Sequence, residues 1–313
     1  MNGWTAQDIP NQSGRVIVIT GANSGIGYES AVALARKGAR VVMACRSLDK
    51  AEQARADLLK RAPGASVDIL HLDLGNLKSV RSFATTFNAS YDRLDVLMNN
   101  AGIMIPPYGK TADGFETQFG TNHLGHFALT ALLLPKLLET PKSRVAITSS
   151  GAYLMGGNIH FDDLQSEKHY SPWSAYSQSK LANILFMEEL QRKLTAAHAD
   201  VISVASHPGF ARTNLQNHTR GLGGLLMNSL LAPIMSQSAE LGATYQLYAA
   251  TAPDVRGGEF YGPGFLLMKG EVARTEVNGR GKDAALAARL WQVSEQLTGV
   301  HYEILDAPIA VHA

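Results

Sequence analysis

A tyrosine and a lysine stand four residues apart in the segment AYSQSKLAN, at Tyr176 and Lys180. The segment has helical periodicity, and positions i and i+4 lie on one face of a helix. A nearby ammonium stabilises a phenolate and lowers the pKa of a tyrosine from its ordinary value near ~10. The pair could therefore transfer a proton at neutral pH, but the same spacing also occurs on solvent-exposed helix faces. The surrounding elements have to decide between these two interpretations.

Short β-branched runs alternate with helical segments along most of the 313 residues. Runs such as RVIVIT and RVVMAC predict buried strands. A long helix is predicted over 113–138 with Asp113 as its N-cap, and a further helix contains Tyr176. This alternation predicts an α/β fold of Rossmann type, a doubly wound parallel sheet of about seven strands with helices on both faces. We expect one NAD(P)-binding domain over 1–313, with a C-terminal helix at about 283–297.

A glycine-rich turn, TGANSGIG, follows the first predicted strand and precedes a helix. Glycines permit positive φ and close backbone approach, and the helix directs its free N–H groups and dipole at a pyrophosphate. This context predicts a dinucleotide site, whereas the alternative is a tight turn whose glycines serve packing only. The residues assigned to the phosphate site are Gly21, Asn23, Ser24, Gly25, Ile26 and Gly27.

The end of the second predicted strand, ACRS, indicates which dinucleotide is bound. Cys45 stands where an acidic residue would bind the ribose hydroxyls of NAD, and Arg46 follows it. A guanidinium suits a 2′-phosphate, so the sequence predicts NADP(H) in preference to NAD(H). The alternative is that Arg46 is a solvated surface charge.

The G-x-x-x-G-x-G spacing and the Y-x-x-x-K pair resemble the short-chain dehydrogenase/reductase family, from residue 15 to about residue 300. The segments ACRS, FDDLQSEKHYSPWSAYSQSKLANILF and AARLWQVSEQLTGV resemble its retinol-dehydrogenase-like branch. The resemblance implies that Tyr176 is the general acid/base and that Lys180 assists it and binds the nicotinamide ribose. It further implies that Ser150, rather than Ser149, holds the substrate oxygen and that Asn122 holds a water in a proton relay.

The same resemblance implies further cofactor contacts at the ends of the predicted strands. They are Asp73 and Leu74 after the third strand, Asn99, Ala101 and Gly102 after the fourth, and Pro208, Gly209 and Thr213 after the sixth. The apolar segment at about 210–236 is implied to be a substrate lid. Its other interpretations are a core helix, a membrane contact and a subunit interface. An apolar lid favours an apolar aldehyde, ketone or alcohol as the substrate.

Composition excludes several other classes of function. A net charge of +1 gives no electrostatic basis for binding nucleic acid. The single cysteine, the absence of a signal-peptide core and the absence of an apolar run of ~18 residues predict a soluble cytoplasmic protein without a transmembrane segment. His123 and His126 have a spacing that suits a metal, but no third ligand accompanies them, so no metal site is predicted. The resemblance implies a homodimer or homotetramer formed through the helices at 113–138 and 173–194.

Together these features predict an NADP(H)-dependent oxidoreductase that interconverts an apolar carbonyl compound and its alcohol by hydride transfer. The alternative is a non-catalytic NADP(H)-binding sensor or scaffold on the same fold, because a fold alone does not give a function. The presence of every member of the proton-transfer set favours the enzyme. An epimerase or dehydratase is disfavoured by the glycine spacing and by the lack of a large second domain.

Overall fold

The computed structural model describes residues 3–209, 238–265 and 269–309. The strands within them form one eight-stranded sheet in the order β3-β2-β1-β4-β5-β6-β7-β8. The strands are β1 Val16–Thr20, β2 Arg40–Cys45, β3 Val67–His71, β4 Val96–Asn99, β5 Ser143–Thr148, β6 Val201–Ser206, β7 Phe260–Phe265 and β8 Lys269–Thr275. All pairs from β3 to β7 are parallel, and β8 is antiparallel to β7 at the edge. The predicted doubly wound α/β fold is therefore confirmed.

Helices cover both faces of this sheet. They are α1 Gly25–Arg36, α2 Leu48–Arg61, α3 Leu77–Ser90, the single turn α4 Thr117–Phe119, α5 Gly125–Leu138, α6 Pro172–Ala196, α7 Ala239–Thr251 and α8 Ala284–Thr298. One apolar layer packs with α3, α5, α6 and α8, and the other with α1, α2 and α7. Val18 of β1 lies in the first layer and Ile17 in the second, which explains why the strand is apolar at every position. Among the helices of the described residues, none has both the length and the hydropathy to cross a bilayer.

The eighth strand, β8, is absent from the sequence-based expectation of about seven strands. Its residues, KGEVART, include three charged side chains, a threonine and a glycine and have only two apolar side chains. Polar edge strands of this kind resemble loops in a single sequence, because only one edge of the strand is paired. The extra strand leaves the parallel core of the sheet as predicted.

The long helix predicted over 113–138 begins later than expected. Its first helical turn is α4, and its N-cap is Glu116, whose carboxylate accepts hydrogen bonds from the N–H groups of Gln118 and Phe119 at 2.9 and 2.7 Å. Asp113 instead accepts a hydrogen bond from the N–H of Leu77 at 2.8 Å, at the start of α3. The assignment of Asp113 as the N-cap was therefore wrong, because this carboxylate serves a neighbouring helix.

The register of the sheet aligns the carboxyl ends of its central strands. Thr20 of β1 pairs with Ala44 of β2, and Thr148 of β5 pairs with Ser206 of β6. The direction of winding reverses between β1 and β4, which are neighbours in the sheet. In folds of this class ligands bind beyond the carboxyl ends of the strands at that switch point.

A glycine in β7 is required by the histidine that follows β6, and this gives a stability prediction. A Cβ on Gly262 would lie 2.0 Å from Nε2 of His207, a side chain that is itself buried against Phe260. We expect Gly262→Ala to lower the free energy of unfolding by about 1–3 kcal/mol, because a buried ring and two strands must move apart. The measurement is the urea unfolding midpoint. The matched control is Gly264→Ala in the same strand, whose Cβ would meet its nearest neighbour, the Cβ of Ala273, at 3.3 Å. Equal midpoints for the two variants would contradict the prediction.

Candidate active site

A cleft of about 390 Å³ lies beyond the carboxyl ends of the central strands, at the switch point. It brings together most of the side chains predicted to bind a cofactor. Those that line it are Gly21, Asn23, Ser24, Gly25, Ile26, Gly27, Arg46, Asp73, Leu74, Ala101, Gly102, Tyr176, Lys180 and Pro208. The lining residues run from Gly21 to Pro208, so positions far apart in the chain converge on one site.

The glycine turn forms one wall of this cleft. Gly21 and Gly25 have φ values of 68° and 56°, a region that favours glycine. A Cβ on Gly27 would lie 2.4 Å from Nδ2 of Asn100 and 2.6 Å from the carbonyl oxygen of Gly21. No side chain caps the N-terminus of α1, because the hydroxyl of its N-cap Ser24 makes no capping hydrogen bond. The bare helix N-terminus and the close turn fit the pyrophosphate of a dinucleotide.

Cys45 and Arg46 have different roles beside this turn. The Cys45 thiol is buried and accepts hydrogen bonds from the N–H groups of Ala22 and Asn23, while burial raises its pKa to about 11. The thiol is therefore uncharged at neutral pH, and its two hydrogen bonds support the backbone of the glycine turn. Arg46 is exposed and lines the cleft. The guanidinium is thus available to an anionic group bound there.

Tyr176 and Lys180 are buried together on the cleft side of α6, with 8% and 4% of their surfaces exposed. Nζ of Lys180 lies 5.7 Å from the ring centroid of Tyr176 and donates a hydrogen bond to the carbonyl oxygen of Thr148 at 3.2 Å. The pair is therefore part of the cleft and not a surface feature. Its backbone support comes from the end of β5, to which the side chain of Asn183 also donates, at 3.1 Å.

The pKa of Tyr176 differs from the sequence-based expectation. Burial raises it, and a hydrogen bond with Ser150 opposes that effect. Lys180 is not among the groups that lower the pKa of Tyr176, contrary to the expectation, and burial separately lowers the pKa of Lys180 itself, to about 8. The reason is that both groups are removed from water, and desolvation disfavours the charged form of each. Tyr176 is consequently a protonated phenol at neutral pH, the form that can donate a proton.

The two serines after β5 face different groups. The Ser149 hydroxyl is buried and donates to the carbonyl oxygen of Lys180 at 2.8 Å. The half-buried Ser150 is hydrogen-bonded to Tyr176 and accepts a hydrogen bond from the N–H of Ala152 at 3.2 Å. Ser150 is thus the serine beside the phenol, whereas Ser149 lines the cleft but directs its hydroxyl to the helix backbone. The role of Ser150 in holding the substrate oxygen stays a prediction.

The NNAG segment after β4 divides between the core and the cleft. Asn99 is buried away from the cleft, and its amide donates to the hydroxyl of Thr130 on α5 at 2.9 Å. The next residue, Asn100, lines the cleft and donates to the carbonyl oxygen of Thr20 at 2.8 Å. Sequence reasoning missed Asn100. The signal was the second asparagine of the segment, but only the end of the strand shows which of the two side chains faces the cleft.

Comparison with known proteins decides which family has this site. The family model described as short chain dehydrogenase matches residues 15–221. Retinol dehydrogenase 12 of Homo sapiens is 43% identical over 292 residues, which cover 93% of this chain and 88% of that protein. The chain belongs to the short-chain dehydrogenase family. The extent and level of this identity place it in the retinol-dehydrogenase-like branch.

Two solved structures agree with that assignment. A protein from Mycobacterium paratuberculosis is 45% identical and superposes with a TM-score of 0.80, over 96% of this chain and 99% of that one. A short chain dehydrogenase from Escherichia coli CFT073, solved in complex with NADPH, is 26% identical with a TM-score of 0.53, over 65% of this chain and 80% of that one. The resemblance inferred from the glycine turn and the Y-x-x-x-K pair is therefore confirmed.

Asn122 of this short-chain dehydrogenase lies in a π-helical turn, Gly120–Leu124, between α4 and α5. Its amide is fully buried and accepts from the N–H of Ile103 at 2.8 Å, and it donates to the carbonyl oxygen of Ile103 at 2.9 Å and to the hydroxyl of Ser179 at 3.0 Å. The side chain does not line the cleft but ties its floor to α6. The water-holding role of Asn122 stays a prediction.

The remaining predicted residues lie outside the cleft or outside the described residues. Gly209 has a φ of 64°, and its N–H donates to Nδ1 of His207 at 3.3 Å, away from the cleft lining. Thr213 and the lid segment 210–236 lie outside the described residues. Their proposed contacts with cofactor and substrate stay predictions.

His123 and His126 each form a hydrogen bond with a different side chain. Nε2 of His123 is 2.9 Å from the hydroxyl of Ser294 on α8, and Nε2 of His126 is 2.9 Å from the hydroxyl of Thr20. The two rings therefore bond to different elements. Within the part of the chain that the structure describes, no group of three or more metal-ligating side chains is found.

Proposed function

We propose that this chain is an NADP(H)-dependent oxidoreductase that interconverts an apolar aldehyde or ketone and its alcohol, with Tyr176 as the general acid/base. The observation that carries the proposal is the burial of Tyr176 and Lys180 in a cleft whose other wall is the glycine-rich turn, with the half-buried Ser150 hydrogen-bonded to Tyr176. Membership of a dehydrogenase family supports the same reaction class.

The residues that would hold the dinucleotide are those of the glycine turn, the N-terminus of α1, Arg46 and Lys180. A bound nicotinamide cofactor supplies a hydride to a carbonyl carbon or accepts one from an alcohol. The chain itself must then manage one proton. In reduction, the hydroxyl of Ser150 donates a hydrogen bond to the carbonyl oxygen, and the phenol of Tyr176 transfers its proton to that oxygen as the negative charge develops.

Lys180 restores the reactive state of the tyrosine. After proton transfer Tyr176 is a phenolate, and an ammonium 5.7 Å from its ring centroid stabilises that anion. With a pKa of about 8, Lys180 is mostly charged at neutral pH and can pass on a proton. In alcohol oxidation the steps run in reverse, so Tyr176 must first lose its proton, a change that burial opposes and the nearby Lys180 ammonium favours.

The surface beside Tyr176 supports an apolar substrate. The ring of Trp173 lies 6.0 Å from that of Tyr176, and Trp173 is 43% exposed. Exposed apolar groups at the edge of a polar site bind the apolar body of a ligand while the polar groups fix its reacting end. Retinol, named in the relative retinol dehydrogenase 12, is an alcohol of this class.

Arg46 gives a quantitative prediction about cofactor choice. We expect Arg46→Ala to lower kcat/KM for NADPH by about 10–100-fold, because one charge-assisted contact to a 2′-phosphate is lost. The value for NADH, which has no such phosphate, should change by less than about threefold. Steady-state kinetics with both cofactors measures the ratio. The control is Arg55→Ala, which removes a half-buried arginine of α2 that is paired with Glu52 at 2.8 Å and lies outside the cleft lining. An unchanged ratio in Arg46→Ala would mean that this arginine does not select the cofactor.

The first experiment on the whole proposal is an assay of NADPH consumption, with NADH in parallel, against a panel of apolar aldehydes and ketones. Turnover with NADPH and little turnover with NADH is the expected result. A preference for NADH would refute the role of Arg46 and leave the proton chemistry intact. NADPH binding without turnover on any compound would favour the sensor or scaffold.

A further inference from the structure

The ring of His126 joins two parts of the active site that are far apart in sequence. Nδ1 is 3.0 Å from the carbonyl oxygen of Asn122, and Nε2 is 2.9 Å from the hydroxyl of Thr20 at the end of β1. A carbonyl oxygen only accepts, so Nδ1 carries the hydrogen. In the neutral ring Nε2 is then an acceptor, and the hydroxyl of Thr20 donates to it at 2.9 Å in preference to the carbonyl oxygen of Met98 at 3.3 Å.

The Thr20 hydroxyl also holds the floor of the cleft. Its oxygen accepts hydrogen bonds from the N–H groups of Asn100 and Ala101, at 2.9 and 2.8 Å. At the other end of the same short segment, Ile103 is hydrogen-bonded through its N–H and its carbonyl to the side chain of Asn122. Residues 100–103 are therefore held at both ends, by β1 on one side and by the π-helical turn on the other.

His126 makes this set of hydrogen bonds a closed circuit. The circuit runs from Thr20 through the 100–103 segment to Asn122, and the imidazole of His126 links Asn122 back to Thr20. Gly102 lies inside it, and a Cβ at that position would be 3.5 Å from Nζ of Lys180. Lys180 therefore lies directly against the segment that this set of hydrogen bonds holds in place.

We propose that His126 is a positioning residue, whose Nε2 fixes the Thr20 hydroxyl under the cofactor floor and whose Nδ1–H fixes the π-helical turn that carries Asn122. The catalytic half of this inference rests on the proposed function. The binding half requires only that the cleft takes NADPH.

The burial of His126 agrees with a neutral ring that is fixed in one tautomer. Only 2% of its surface is exposed, and burial together with the nearby Lys180 lowers its pKa to about 4. Both ring nitrogens have partners, whereas an apolar side chain of similar size would fill the space and make neither contact. Two satisfied buried contacts that converge on the cleft indicate a specific role rather than space filling.

Two variants of similar size separate the two contacts. The amide of asparagine reaches the position of Nδ1, and the amide of glutamine reaches that of Nε2. His126→Asn therefore keeps the contact with Asn122 and loses that with Thr20, so the Kd for NADPH should rise about tenfold with a smaller change in kcat. His126→Gln keeps the contact with Thr20, so kcat should fall about tenfold with a smaller change in Kd. Circular dichroism establishes that each variant is folded.

Opposite shifts in Kd and kcat for the two variants are the expected result. Unchanged values in both folded variants, or parallel changes in Kd and kcat, would overturn the proposal, because a packing role does not distinguish the two nitrogens. If either variant does not fold, the Thr20 end carries the test. Thr20→Val should then raise the Kd for NADPH about tenfold and Thr20→Ser should restore most of the binding, whereas an unchanged Kd in Thr20→Val would overturn the proposal.

The Kd is measured by NADPH fluorescence and needs no turnover. If the wild-type chain binds NADPH but reduces no compound of the panel, the proposed function fails. The effect of His126→Asn on Kd still tests the inference in that case. The two failures are therefore distinguishable.

Discussion

Replacing Tyr176 by phenylalanine should lower kcat by about 10²–10⁴-fold and change the Kd for NADPH by less than about threefold. The substitution removes the one phenolic proton at the end of β5 and keeps the ring, which is buried beside Lys180. The measurement is kcat on the best carbonyl substrate of the panel, with NADPH binding followed separately. A loss of turnover with binding retained assigns Tyr176 to the chemical step and not to cofactor capture.

Tyr91→Phe is the matched control for this variant. Tyr91 is also buried, and its hydroxyl donates to the carboxylate of Asp68 at 2.9 Å, but it lies outside the cleft lining. Loss of that bond should cost about 1 kcal/mol of stability and leave kcat within about twofold of the wild type. Full activity in Tyr176→Phe, or an equal loss in Tyr91→Phe, would contradict the assignment of Tyr176 as the proton donor.

Acidification should unfold the protein cooperatively as the pH falls from about 6.5 toward 4. Three histidines, His123, His126 and His207, are buried, and burial lowers their pKa values to about 3, about 4 and about 4 from an ordinary value of 6.5. The unfolded chain binds these protons near pH 6.5, whereas the folded chain binds them only near pH 3–4. Stability is therefore complete above the ordinary value and is lost as the pH falls through this interval.

The size of this effect follows from linkage. Each of the three shifts corresponds to about 3 kcal/mol or more, and three protons taken up together give a slope of about 4 kcal/mol per pH unit. Between pH 6.5 and pH 4 this slope removes an amount of free energy comparable to the whole ~5–15 kcal/mol stability of an ordinary domain. Urea unfolding at a series of pH values measures the slope, and His123→Gln should lower it by about one third. A free energy of unfolding that is equal at pH 7 and pH 5 would contradict this account.

The parts of the fold that were predictable depend on local patterns. The runs RVIVIT and RVVMAC are apolar at consecutive positions because helices cover both faces of the sheet, so their strands were found nearly to the residue. The glycine turn was recognisable because only glycine tolerates its φ values and close contacts. These features depend on residues adjacent in sequence, which a single sequence displays directly.

The parts that were missed depend on contacts between distant residues. Lys110 and Glu116 form an isolated antiparallel β-bridge immediately before α4, so the helix begins after Asp113. The Asp113 carboxylate instead accepts a hydrogen bond from the N–H of Leu77 at the start of α3. The pKa direction of Tyr176 follows from burial by surrounding elements, which the i, i+4 spacing with Lys180 does not report. Long-range packing therefore sets the electrostatics of the site, whereas most of the residues predicted to bind a cofactor line the same cleft and their roles stay predictions.

The framework around the cleft also depends on long-range contacts. The hydrogen bond between His126 and Thr20 joins residues 106 positions apart. In the sequence His126 is one polar residue in an apolar helix, and its spacing from His123 suggested a metal pair. Only the folded chain shows that each ring bonds to a different element.

Transfer of deuteride from specifically deuterated NADPH to an apolar aldehyde or ketone tests the central claim most directly. The account predicts an alcohol product with one deuterium on the former carbonyl carbon, formed by the wild-type chain and not by Tyr176→Phe. Binding of NADPH without labelled alcohol from any compound of the panel would contradict the claim and identify the chain as a cofactor-binding protein without turnover.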